Sequence, residues 1–266
     1  MNSRREVHAS MTLEVSDPTA FMLAVSTAQG VPLESEALVV RLDGEPIATR
    51  ELGDLHGTRL QLFDTPAGFI DIDYRATVVG RAQPVPVDPL DAITYLRPSR
   101  YVQSDTLQPF ARRTFPGLEG AALLREVSAW VHDRLRYEAF STSPTGGAVE
   151  TLDSGAGVCR DFAHLTAALL RGLDVPARLV SVYAPELTPP DFHAVVEALV
   201  EGRWLVVDST RLAPRSGLVR MATGRDATDT AFLTNTLADI HLRDLRVEAT
   251  SDDELSDDPD ELVELG

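Results

Sequence analysis

Cysteine is almost absent: Cys159 is the single one in 266 residues. One thiol cannot close an internal disulfide, so the fold does not depend on an oxidising compartment, and a cytoplasmic location is expected. No apolar run reaches about eighteen residues, so no membrane span and no membrane partner are expected. The start, Met1 to His8, carries Arg4 and Arg5 but no apolar stretch behind them, and no secretory leader is expected there. Basic charge is also scarce, with 24 Lys and Arg against 41 Asp and Glu and a net charge of −17. That balance argues against a nucleic-acid partner, which is held through its phosphates. No Cys/His spacing suits zinc, and the acidic C-terminal stretch lacks the glycine and ligand spacing of a calcium loop. The glycines near Gly155 lead into no Gly-Lys-Ser/Thr phosphate loop. No metal and no cofactor are therefore expected. The sequence sets no oligomeric state.

The pattern along the chain predicts an α+β protein of two units and a tail. Residues 1–105 are expected to be β-rich and sandwich-like, with short strands at 11–15, 37–42, 58–63, 68–74 and 76–79 separated by turn signals. Pro84, Pro86 and Pro89 then read as a linker. Residues 106–249 change period. Leu123, Leu124, Val127, Trp130, Val131 and Leu135 recur at helical spacing, predicting a helix that ends near Tyr137. Ser141 to Gly147 reads as a loop, and a second helix is expected from Val158 to Arg171 with Gly172 in a left-handed cap. Strands follow at 177–183, 193–200, 204–208, 217–222 and 240–248. The segment 250–266 carries eight acids and no base from Ser251 onward; it is expected to be a disordered, solubilising extension.

The chemistry centres on Cys159. The stretch Ser154-Gly155-Ala156-Gly157-Val158-Cys159 runs a glycine-bearing turn straight into a helix. A thiol in a first helical turn meets unpaired N–H groups and the positive end of the macrodipole, both of which favour a thiolate. His193 and Asp208 lie downstream on two strands that read as a hairpin. If Glu201 and Gly202 form its loop, Val195 faces Asp208, and His193, two residues away on the same face, sits diagonally beside the carboxylate. A one-residue slip would separate them. Cys159 then reads as nucleophile, His193 as base and Asp208 as the group that orients the ring. The Cys159 N–H is a natural oxyanion donor; Tyr137 and the Ser141–Thr142 loop are candidates for the second. His164, about 140° round the helix from Cys159, reads as structural. Arg160 and Asp161 read as anchors for nearby loops, and Arg225 and Asp226 as a salt bridge. His8, His56, His132 and His241 read as incidental.

Gly157-Val158-Cys159-Arg160-Asp161-Phe162-Ala163-His164-Leu165 resembles the nucleophile motif of bacterial transglutaminase-like proteins. So do Asp191-Phe192-His193-Ala194 and Trp204-Leu205-Val206-Val207-Asp208, with support from Tyr95–Tyr101 and Ala222–Asp226. The likeness spans about Gly68 to Thr234. It implies a papain-like core, helices packed on an antiparallel sheet, behind a β-rich N-terminal domain. It also implies a Cys–His–Asp triad at Cys159, His193 and Asp208. Two positions depart from the family pattern: Val195 stands where many relatives have Trp, and Ser209 where many have Pro. The function expected is cysteine-dependent acyl transfer through a thioester, on a glutamine side-chain amide or a peptide bond of a protein or peptide substrate. The other class left open is a non-catalytic transglutaminase-like module that binds a protein or peptide partner.

Overall fold

The computed structural model describes residues 3–139 and 141–266; the first two residues of the expected N-terminal unit lie outside them. The first third of the chain is strand: β1 (Arg4–Val15), β2 (Thr19–Leu23), β3 (Leu33–Leu42), β4 (Glu45–Ile47), β5 (Arg50–Gly53), β6 (Arg59–Thr65) and β7 (Gly68–Val79). β1 alternates strictly, burying Val7, Ala9, Met11, Leu13 and Val15 and turning the residues between them outward. This is the period of a strand with one face on a core. The stretches expected as two strands at 68–79 are one continuous strand, β7, because the same alternation runs unbroken through Arg75.

Helices then take over: α1 (Asp91–Thr94), α2 (Ser104–Thr114), α3 (Gly120–Arg134), and, after the two-residue β8 (Arg136–Tyr137), α4 (Ala148–Ser154). The short β9 (Ala156–Gly157) leads into α5 (Cys159–Gly172). Four strands and a helical turn follow: β10 (Ala177–Tyr183), β11 (Phe192–Val200), β12 (Arg203–Val207), β13 (Val219–Gly224) and α6 (Ala227–Thr230), then β14 (Leu233–Asn235) and β15 (Ile240–Ser251).

Among the described residues the strands form an antiparallel sheet in the order β15-β1-β7-β3-β4, a second in the order β14-β2-β6-β5, and a third in the order β12-β11-β10-β13; β8 and β9 pair in parallel. The first two share a core that includes Leu13, Phe21, Phe63, Ile70 and Tyr74, the sandwich expected from the sequence. The third carries α5 on one face. From Asp161 to Gly172 every residue of α5 is buried, and its Leu165, Leu169 and Leu170 pack with α2, α3 and β11. Each such leucine stabilises the fold by about 1.5–3 kcal/mol.

Three expectations need correction. First, β14 and β15 fall inside the expected second unit but pair with β2 and β1 of the first, so the sheets do not divide where 106–249 does. An isolated strand leaves its N–H and C=O groups unpaired, and the edge of β1 supplies partners along its length. Second, the acidic segment is placed, not free. Leu265 is buried against Val206, Val206 N–H donates to Val263 C=O at 2.7 Å, and Arg215 holds Asp257 at 2.9 Å. Apolar residues at 262, 263 and 265 dock between the acids, and a buried arginine neutralises part of their charge. Third, Gly172 lies in right-handed helix; the left-handed residue is Asp174 at φ 62°. Glycine at 172 answers to packing instead, since a Cβ there would stand 3.1 Å from Gln108 Cα on α2.

Candidate active site

The first turn of α5 is built to hold Cys159 in a fixed place. Gly155, left-handed at φ 65°, caps α4 and reverses the chain toward α5. Val158 is extended, and its N–H donates to the Asp161 carboxylate at 2.8 Å. Asp161 thus caps its own helix from inside, and also accepts from the Thr142 hydroxyl. Gly157 has no side chain because Asp161 occupies that space: a Cβ would stand 2.6 Å from Asp161 Cβ. Arg160 pairs with Asp161 at 3.3 Å and donates to Ser143 C=O at 2.9 Å, tying the 141–147 loop to the helix start.

β11 and β12 form the expected hairpin in the expected register. Val196 pairs with Val207 and Val200 with Arg203, which sets Asp208 just beyond the last pair, diagonal to His193. His193 Nε2 and Asp208 Oδ2 are 2.8 Å apart. The other carboxylate oxygen accepts from Thr210 N–H at 2.9 Å and its hydroxyl at 2.7 Å. Ser209 points the other way, its hydroxyl 2.8 Å from Thr166 on α5, while His132 Nδ1 lies 3.1 Å from its carbonyl. The strand exit that carries Asp208 is therefore clamped from α3 and α5.

Both members of the pair are buried. Burial alone would pull the His193 pKa down, but the Asp208 carboxylate and hydrogen bond outweigh it and push it up to about 10. Burial would raise the Asp208 pKa; His193 and Thr210 instead hold it below the usual carboxylate range. His193 Nδ1 is buried with no partner, and Cys159 lies against the same ring, so this nitrogen is the one open to the thiol. Cys159 Sγ is 4.0 Å from Phe192 C=O at the start of β11. The pairing of β8 with β9 sets Tyr137 opposite Gly157, and its hydroxyl lies by the Cys159 amide and thiol. Partial desolvation of its hydroxyl and the neighbouring Cys159 push the Tyr137 pKa up to about 12. A cleft of about 510 Å³ opens beside Cys159 and His193.

The sequence of residues 111–209 matches the family described as the transglutaminase-like superfamily. A crystal structure from Cytophaga hutchinsonii, of a protein described as a candidate cysteine protease, is 34% identical to this chain and superposes with a TM-score of 0.87 over 96% of this chain and 92% of that one. The chain belongs to the transglutaminase-like superfamily. A curated relative, an uncharacterised protein of Mycobacterium leprae, is 29% identical over 160 residues, and the chain spans 55% of its length. Among the described residues no helix is long and apolar enough to cross a membrane.

Within this transglutaminase-like chain the remaining sequence candidates take supporting places. His164 is fully buried, stacked on Tyr101 at 5.1 Å, and accepts from Ala227 N–H at 3.2 Å; burial pushes its pKa down to about 3. It backs Tyr101, which lines the cleft. Arg225 does form a salt bridge, but with Asp229 at 2.8 Å. Asp226 instead caps α6 through Thr228 N–H and accepts from Tyr101 N–H at 3.0 Å. Of the histidines read as incidental, His132 braces Ser209, His8 pairs with Asp73 at 2.9 Å, and His56 lies 3.3 Å from the buried Arg178 guanidinium. Thr210 escaped the sequence reading because a lone Thr carries no spacing signal.

Proposed function

We propose that the chain catalyses acyl transfer through a thioester at Cys159. The observation that carries this reading is the convergence of the α5 N-terminus, with Cys159, on a buried His193–Asp208 pair whose second ring nitrogen is unengaged. The Cys159 sulfur attacks the carbonyl carbon of a glutamine side-chain amide or a peptide bond. The S–C bond forms first, giving a tetrahedral oxyanion; its collapse breaks the C–N bond, and the thiol proton, taken by His193, leaves on the departing amine. Water or a second amine then opens the thioester and restores the thiol. Asp208 keeps the ring in place and stabilises the imidazolium. The Cys159 N–H and the Tyr137 hydroxyl are the proposed donors to the oxyanion.

The substrate class proposed is a protein or peptide, and the location proposed is the cytoplasm, which a lone free thiol suits. All 24 basic side chains are arginine, so the chain offers no lysine as an acyl acceptor to its own copies. A lysine acceptor would therefore have to come from the substrate or be added. The test is acid-quench mass spectrometry after mixing with a glutamine-containing peptide. An acyl adduct on Cys159 that is absent in Cys159→Ala supports the reading. No adduct and no peptide turnover would favour the non-catalytic module.

A further inference from the structure

The cleft beside Cys159 has a feature that the transfer chemistry does not use. β10, β11 and β13 lie side by side, and Ser181 on β10 pairs with Ala194 on β11 and with Ala222 on β13. Ser181 and Ala194, directly opposed, point to one face, and both line the cleft. Just past this row the register of β10 and β13 shifts: Ser181 faces Ala222 but Val182 faces Arg220. Met221 is the extra residue of a β-bulge, and it lines the cleft. Bulges re-aim side chains in this way. The Phe192 and Phe232 rings, 4.9 Å apart, border the same cleft.

Ser181 lines this apolar surface with its hydroxyl unanswered. The residue is 9% exposed, and its Oγ is buried without a hydrogen-bond partner. A buried hydroxyl left unpaired costs about 1–3 kcal/mol, so an orphan at the floor of a binding cleft points to a partner on the ligand.

We infer that the part of the cleft bounded by Ala194, Ser181 and Phe192 is a specificity pocket for a substrate side chain that is aromatic along its length and hydroxylated at its tip, as tyrosine is. The inference rests on the acyl-transfer reading of Cys159 for the word substrate, but not for the binding itself. Phe192 and Phe232 favour an aromatic body. Ser181 both donates and accepts, which matches a phenol. Phenylalanine would fill the same space and leave Ser181 unsatisfied. A carboxylate or ammonium tip would be desolvated against one neutral hydroxyl. Sites built to bond a hydroxyl discriminate far more sharply than apolar ones.

The test uses the full chain carrying Cys159→Ala, so that no reaction intervenes. It is titrated by calorimetry with N-acetyl-tyrosyl-glycinamide and with N-acetyl-phenylalanyl-glycinamide. The tyrosyl peptide is expected to bind about tenfold more tightly. Adding Ser181→Ala is expected to erase the difference while leaving the phenylalanyl affinity within about twofold. Equal affinities before any change at Ser181 overturn the pocket, and so does a preference that survives Ser181→Ala. The first comparison needs no Ser181 variant, so a misfolded one does not shield the proposal. Alkylation of Cys159 in the native chain is read separately. An unactivated thiol alongside a retained tyrosine preference overturns the acyl-transfer reading and upholds the pocket as a ligand site.

Discussion

In the proposed acyl transfer, His193 is the residue on which the chemistry turns, and Asp208 sets its charge. The Asp208 carboxylate raises the His193 pKa to about 10, against a buried site that would otherwise lower it. The sign of the linkage follows. A raised histidine stabilises the fold fully below its unfolded value near 6.5, and that contribution fades as pH rises toward 10. Asp208, held below its ordinary range, contributes above about pH 4 and loses its contribution in acid. Thermal unfolding of wild type and Asp208→Asn should therefore differ most between about pH 4 and 6.5, and the gap should close toward pH 10. A gap that widens with pH contradicts the pairing. For turnover, Asp208→Asn should lower kcat by about 10²–10⁴-fold through a misoriented ring. Tyr137→Phe should lower kcat by roughly 10²-fold with KM little changed, if its hydroxyl meets the oxyanion. A change confined to KM would assign Tyr137 to substrate binding instead.

Elements carry the site, and the sequence discloses them unevenly. The β11–β12 hairpin was legible because Glu201-Gly202 marks the turn and period-two counting then fixes every pair; Glu201 is left-handed at φ 51° and Gly202 at φ 74°. The α5 start was legible from Gly155 and the helical pattern behind it. The reason for Gly157 was not, because it depends on where Asp161 folds. Gly157→Ala should accordingly disturb the first turn and slow Cys159 chemistry while leaving the sheet intact; unchanged alkylation kinetics would refute that cause. The buried ion cluster on β10, β11 and β13 was also hidden. Glu197 lies 2.7 Å from Arg178 and 2.6 Å from Arg220, and Arg178 stacks 3.9 Å over Trp204. Charges on separate strands give no local signal. Glu197→Ala removes the carboxylate from buried Arg220, leaves Arg178 only Asp91 at 3.8 Å, and should cost about 3–5 kcal/mol in denaturant unfolding. A loss below about 1 kcal/mol would mean the charges are solvated.

At the scale of the whole molecule, composition misled where it was averaged. The C-terminal segment is acidic enough to read as disordered, yet Leu262, Val263 and Leu265 sit where the β12 edge and the outer face of the third sheet receive them. Likewise β15 reads as part of the second unit because it follows in sequence, but the open edge of β1 lies in the first. Long-range pairing of this kind is set by which edge is free. Because Leu265 and Val206 share a cluster with Val195, the segment buttresses the hairpin that presents His193 and Asp208. Leu265→Ala should destabilise the fold by about 2–4 kcal/mol; a neutral effect would show the contact to be incidental.

The most direct measurement on the central proposal is the pH dependence of iodoacetamide alkylation at Cys159, in wild type and in His193→Ala. If His193 pairs with the thiolate, reaction stays fast down to about pH 5–6 in wild type, and the variant loses that acid-side reactivity. A single rise near pH 8.5 in both proteins, or no reaction in either, contradicts an activated nucleophile at Cys159 and removes acyl transfer from the account.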